Sequence, residues 1–141
     1  ARGWDADSGT ARWKWTAKSA VCGVAVRPGG KQVAAGSADG SLTVLDVSAA
    51  DPKEVWTGSG HTAGVASLAY SPDGTLLATA GGDGALQLWT LDDAGRPTPG
   101  HRIDGQPRPD KAGVAPLSAV AFTPDGRFVA AAGADAVAGV Y

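Results

Sequence analysis

A chain of 141 residues with a formal charge of −2 and 18% charged residues lacks the basic footprint that sequence-independent phosphate binding needs, so nucleic acid is a poor partner. Its 43% apolar content is that of a folded domain with a core, and its 21 glycines, about twice ordinary usage, mark a chain rich in turns without a collagen-like period. One cysteine excludes an internal disulfide, and the longest apolar run falls far short of the ~18 residues of a membrane helix.

No charged segment followed by an apolar one opens the chain, so a soluble, cytoplasmic protein with no membrane partner is expected. The lack of methionine and a start inside a strand-like stretch suggest a piece of something longer. A preference for Ala, Gly, Arg and Asp over Lys, Ile and Asn would suit a GC-rich bacterial genome.

In chain order, Arg2-Gly3-Trp4-Asp5 reads as the end of a strand, followed by the linker Asp7-Ser8-Gly9. Ala11 to Ala17 reads as a polar-faced strand, with Trp13 and Trp15 on one face and Lys14 on the other. The first of three gapless copies of a 25-residue pattern then runs from Val21 to Leu45, and Lys53 to Thr57 reads as another polar-faced strand. The second copy occupies Val65 to Trp89, an irregular stretch from Asp92 to Ala115 contains one weak strand at Arg102 to Asp104, and the third copy runs from Leu117 to Tyr141.

Each copy holds three short apolar runs divided by two turns. The first turn is Arg27-Pro28-Gly29-Gly30, Ser71-Pro72-Asp73-Gly74 or Thr123-Pro124-Asp125-Gly126, in which Pro presets φ, Asp bonds its own backbone and Gly accepts a positive φ. The second is built on Asp39, Asp83 or Asp135. With the linker strands, every copy makes a four-stranded antiparallel meander, and no helical periodicity competes. Starts at residues 21, 65 and 117 give periods of 44 and 52 residues, the range of propeller blades.

The central copy resembles the WD-repeat β-propeller family in Gly60-His61, Ser71-Pro72-Asp73-Gly74, Leu76-Leu77-Ala78-Thr79, Asp83-Gly84 and Leu88-Trp89. The resemblance covers essentially the whole chain. It implies an all-β fold of propeller blades, with blade-like units at about 10–47, 53–91 and 101–141 and residues 1–9 ending a preceding strand. It further implies one hydrogen-bonded network of His61, Thr79, Asp83 and Trp89 that locks a blade, a set of groups costly to bury singly and nearly satisfied together. Propellers commonly offset their sequence repeat from the blade, so that the first strand completes the last blade.

The outer copies depart from the pattern. In the first, Ala17-Lys18 stands near the Gly-His place, Ala35 replaces the hydroxyl and Leu45 the indole; in the third, Ala131 and Tyr141 stand in those places and no His is near. The network is therefore expected in the middle blade alone. Three blades are too few to close a ring, which takes about 4 to 8, so further blades or further copies must cover the open ends.

No catalytic constellation accompanies the fold. The inner strands, Cys22 to Val26, Val65 to Tyr70 and Leu117 to Phe122, carry no acid and no His, and His61 and His101 are the only imidazoles. No zinc-site spacing, nucleophile elbow or P-loop occurs, so neither an enzyme nor a cofactor or metal is expected. His61 reads as structural, His101 as a solvated loop residue and Cys22 as a small buried hydrophobe.

Trp13, Trp15 and Trp56 on outer strands are either a contact surface or packing against the neighbouring blade. Arg102, Arg108 and Lys111 are either an acidic-partner surface or an ordinary solvated loop. The leading expectation is a protein-interaction or scaffolding module, appended in bacteria to larger multidomain proteins. Two alternatives stand beside it: head-to-tail homo-oligomers closing six or nine blades, and an enzyme on a propeller scaffold.

Overall fold

Short apolar runs separated by Pro-, Asp- and Gly-bearing turns fold into thirteen strands, with no helix, among the described residues of the computed structural model, 1–105, 114–134 and 138–140. Accordingly no helix is long and apolar enough to cross a membrane among them. The strands are β1 (Arg2–Trp4), β2 (Ala11–Lys14), β3 (Val21–Val26), β4 (Gln32–Ser37), β5 (Ser41–Asp46), β6 (Lys53–Ser59), β7 (Val65–Tyr70), β8 (Leu76–Gly81), β9 (Leu86–Leu91), β10 (Pro97–Ile103), β11 (Leu117–Phe122), β12 (Val129–Gly133) and β13 (Ala138–Val140).

They form four antiparallel sheets: the hairpin β1-β2, the four-stranded β3-β4-β5-β6 and β7-β8-β9-β10, and the three-stranded β11-β12-β13. The fold is therefore all-β, built of blade-like meanders that do not close on one another. The strand ahead of each copy joins the copy before it: β6 pairs with β5 and β10 with β9. Sheets consequently run from 21 to 59 and from 65 to 103, one strand out of step with the sequence units 10–47 and 53–91.

The Pro-x-Gly tetrads close the β7-β8 and β11-β12 hairpins by the same bonds. Ser71 Oγ donates to Asp73 Oδ1 at 2.6 Å and accepts from Leu76 N at 2.9 Å, while Thr123 repeats this with Asp125 and with Phe128 N at 3.1 Å. Gly74 and Gly126, both at φ +70°, take the left-handed position that L side chains avoid. In all three copies the first strand also shifts register once, between Val21 and Gly23, Val65 and Ser67, and Leu117 and Ala119. A bulge at one place in every repeat re-aims the start of each inner strand in the same way.

Three expectations need correction here. The weak strand placed at Arg102 to Asp104 is the seven-residue β10, beginning at Pro97. Proline is tolerated because β10 is outermost and pairs only with β9, so the missing N–H groups need no ladder partner, and a register shift between Pro99 and Arg102 takes up the irregularity. His101 accordingly lies on a strand, exposed, and not in a loop.

Cys22, expected to be buried, is exposed. Strand alternation points Gly23 and Ala25 at the second sheet, where Gly23 meets Leu68 and Ala66, so Cys22, Val24 and Val26 point the other way.

Apolar packing lies between sheets. One cluster joins Ala34, Leu42 and Val44 of the first sheet to Val65, Leu68, Leu77, Trp89 and Leu91 of the second. Another joins Ala78, Ala80 and Leu86 to Val120, Val129 and Ala131 of the third. The inter-sheet seam is also bonded, for Arg27 Nε donates to Gly74 O at 2.9 Å and Gln32 Nε2 to Ala94 O at 2.7 Å.

The hydroxyl of Tyr70 is buried in this seam with no hydrogen-bond partner among the described residues. Burial pushes its pKa up to about 12, against the pull of the nearby Arg27 charge, so the phenol stays neutral. Tyr70→Phe is accordingly expected to leave stability unchanged or raise it by up to about 1 kcal/mol, read from urea unfolding midpoints, because a desolvated and unsatisfied hydroxyl is removed.

Candidate functional site

A dense polar group is held by three elements of the second sheet and the turn ahead of it. Thr79 sits in the middle of β8, Trp89 on β9, Asp83 in the turn between them and His61 just past β6, at the Gly60-His61 turn. The structure brings all four sequence-predicted residues together. His61 Nδ1 lies 2.9 Å from Asp83 Oδ1, His61 Nε2 lies 2.8 Å from Thr79 Oγ1, and Trp89 Nε1 donates to Thr79 Oγ1 at 3.0 Å.

The proton positions follow from what each group can do. An ionised carboxylate only accepts, so His61 Nδ1 carries the proton. Nε2 then accepts from the Thr79 hydroxyl, whose oxygen is free to take the Trp89 N–H. A continuous chain of donors runs from indole to carboxylate, and each buried polar atom in it is matched. Thr79 is 0% exposed and Trp89 1%, which leaves the hydroxyl no route to a substrate.

Asp83 is the collecting point. Its Oδ1 also accepts from Ala85 N at 3.2 Å, and its Oδ2 from Thr62 N at 2.9 Å and Arg102 Nη2 at 3.2 Å. Burial alone would raise its pKa. The donors from Thr62, His61, Ala85 and Arg102 outweigh that and hold the carboxyl well below the usual carboxylate range.

Arg102, expected to face a partner or solvent, is exposed and also bonds to the edge of this group. It bonds Asp83 and, through Nη1, Gly60 O at 2.8 Å, while its Nε holds Asp104 at 2.8 Å. Sequence reasoning missed this member because the arginine lies nineteen residues beyond Asp83 on a strand that the prolines concealed. Two glycines leave room for the group. A Cβ on Gly60 would strike the Trp89 ring, and one on Gly81 would strike both His61 and Asp83.

Gly81→Ala should therefore cost about 1–3 kcal/mol, the range for overpacking, while Gly82→Ala next door should be close to neutral. A Cβ on Gly82 would meet Ala63 at an ordinary 3.5 Å. Equal losses in the two variants by chemical denaturation would contradict the arrangement.

The same turn in the first sheet does something else. Among the described residues Asp39 Oδ1 accepts only from Ser41, from its Oγ at 2.6 Å and its N at 3.0 Å, which lowers its pKa. Ala35 and Leu45 supply no donor or acceptor side chain there. In the third sheet Ala131 stands at the hydroxyl position, and Asp135 and Tyr141 lie outside the described residues.

The tryptophans of the outer strands are half-buried. Trp13 lies over Gly3, Trp15 Nε1 donates to Glu54 Oε1 of β6 at 3.0 Å, and Trp56 meets Trp89 edge to face with centroids 5.8 Å apart. Arg108 and Lys111 lie outside the described residues. Among the described residues no three His, Cys, Asp or Glu side chains gather as a metal site.

Comparison with known proteins gives a matching family model, described as WD domain, G-beta repeat, over residues 9–46, 52–90 and 110–141. Among individual proteins the chain is similar to Protein HIR1 of Cryptococcus neoformans, 35% identical over an 89-residue alignment that covers 56% of this chain and 10% of that protein. It is also similar to WD repeat-containing protein RUP2 of Arabidopsis thaliana, 42% identical over 78 residues, 54% of this chain and 20% of that one. COMPASS component SWD1 of Saccharomyces cerevisiae is 34% identical over 79 residues, 55% and 18%. The chain thus spans a fifth or less of the length of these relatives.

Proposed function

Because the chain belongs to the WD-repeat family, we propose that it is a run of propeller blades serving as a protein-interaction or scaffolding module within a larger protein, with no catalysis of its own. One observation carries this reading: the polar group of the second sheet is closed on itself. Both nitrogens of His61, the Thr79 hydroxyl and the Trp89 N–H are engaged inside the sheet, so the residues best equipped for acid-base chemistry are occupied as fasteners. The relatives' names fit the reading, one being named a COMPASS component. The preference for Ala, Gly, Arg and Asp over Lys, Ile and Asn is what supports a bacterial source.

Two measurements test it. Crosslinking of the parent protein in its own cells, followed by reconstitution from purified components, should give a stoichiometric complex with a protein partner. Turnover of an ester, phosphoester or peptide substrate by the purified chain, abolished by His61→Ala, would overturn the reading.

A second reading, head-to-tail self-assembly into a ring, is favoured by the open face on the first sheet, where Val24 and Val26 are exposed. Strand number weighs against it. Joining β11-β12-β13 to β1-β2 would bring five strands to one sheet, whereas both complete sheets hold four. A monomer in sedimentation at micromolar concentration would leave the self-assembly reading without support.

A further inference from the structure

Aspartate followed by glycine occurs five times, at Asp39-Gly40, Asp73-Gly74, Asp83-Gly84, Asp104-Gly105 and Asp125-Gly126. The dipeptide is open to cyclisation, because glycine has no side chain to hinder attack by its own nitrogen on the preceding side-chain carboxyl.

Four of the pairs sit in hairpin turns and share one arrangement. The glycine N–H donates to the carbonyl three residues back, at 3.1 Å from Gly40 to Ser37, 2.9 Å from Gly74 to Ser71, 3.0 Å from Gly84 to Gly81 and 2.9 Å from Gly126 to Thr123. The carboxylate reaches past the glycine and accepts from the N–H two residues on, that of Ser41, Thr75, Ala85 or Arg127, at 3.0 to 3.2 Å. Both reacting groups are held in other bonds. The hydroxyls of Ser41, Ser71 and Thr123, together with those amides, also lower the pKa of Asp39, Asp73 and Asp125, and an ionised carboxylate has no hydroxyl to expel.

Asp104-Gly105 lies just past the end of β10, in no such turn. The Asp104 side chain is 77% exposed, and among the described residues its carboxylate is held by Arg102 Nε alone, at 2.8 Å. Gly105 N has no acceptor among the described residues, and its backbone lies outside the left-handed region that the four turn glycines share.

From this we infer that Asp104-Gly105 is the chain's site of isoaspartate formation, and that the isomer loosens Arg102 from Asp83. Gly105 N bonds to Asp104 Cγ, the carboxyl C–OH bond breaks, and the hydroxyl leaves with the amide proton as water. Water then adds to the main-chain carbonyl of the ring and breaks its bond to nitrogen. The product has the composition of the starting chain, with the peptide running through Cγ and a free α-carboxylate. One carbon has entered the main chain between two fixed points: Ile103 pairs with Leu86, and a methyl on Gly105 would meet Gly84 O at 2.5 Å. The carboxylate that holds Arg102 is displaced, and with it the guanidinium on Asp83.

The test ages the full chain at neutral pH and physiological temperature and maps its peptides by electron-transfer fragmentation. Methyl uptake from labelled S-adenosylmethionine, catalysed by protein L-isoaspartyl methyltransferase, gives an independent count. Isoaspartate should build up at Asp104 about tenfold or more faster than at any turn aspartate, where two hydrogen bonds must break first. In urea the five pairs should react at comparable rates. Asp104→Glu, whose carboxyl would have to close a six-membered ring, should take up little methyl on ageing. Aged wild-type chain should melt below fresh chain, and aged Asp104→Glu should not.

Isoaspartate forming first at a turn aspartate, or at all five pairs alike in the folded chain, would overturn the proposal. So would a lead for Asp104 that persists in urea, because the local sequence and not the fold would then set it. An unchanged melting temperature in isomerised chain would overturn the displacement of Arg102.

Discussion

Trp89→Ala is expected to lower the unfolding free energy by about 3–5 kcal/mol, the range for deleting a fully buried tryptophan. The residue is 1% exposed and lies at the seam of the first and second sheets, in one cluster with Leu42, Val44 and Leu77. Its removal opens a cavity there, deprives Trp56 of its edge-to-face partner and leaves the Thr79 oxygen without the indole N–H. Trp89→Phe separates these effects. It keeps most of the packing and removes the donor, and about 1–2 kcal/mol should be lost. Urea unfolding with an unchanged slope is the measurement, and equal losses in the two variants would show that the hydrogen bond carries the stability.

Asp83→Ala is expected to cost a similar amount, about 3–5 kcal/mol, for a different reason. His61, Thr62, Ala85 and Arg102 all donate to this carboxylate, and truncation strands a buried imidazole N–H, two backbone amides and part of a guanidinium. The loss should fade in acid. A carboxylate held below its ordinary value contributes fully above the unfolded pKa of about 4, and that contribution disappears as the pH falls through the lower folded value. Wild type should therefore lose stability more steeply than Asp83→Ala below about pH 4. Parallel acid limbs for the two proteins would contradict the assignment.

The parts of this account that could be read from the residues are those with a local cause. Pro-Asp-Gly tetrads specify their hairpins within four residues, so the strand pairs of each repeat were legible. So was the grouping of His61, Thr79, Asp83 and Trp89, although it rests on a resemblance and not on spacing alone. What was hidden depends on neighbours far away in the chain.

Cys22 reads as a core residue by its apolar run, but its burial depends on whether a sheet stands in front of β3. Arg102 reads as the start of a weak strand and as a surface cation because Pro97 and Pro99 argue against a strand ahead of it, yet an outermost strand does not need their N–H groups. The offset between sequence unit and sheet was hidden as well: β6 pairs with β5, although the link from β6 to β7 is no longer than the link from β5 to β6.

The central claim is that three similar repeats are unequally fastened, with the cross-strand network concentrated in the second sheet. Amide hydrogen exchange resolved by segment tests it most directly. Amides of β8 and β9 should exchange more slowly than those of β4 and β5, and Thr79→Val should erase the difference while leaving β4 and β5 unchanged. Equal protection of the two sheets in the wild-type chain, or a difference that survives Thr79→Val, would contradict the account.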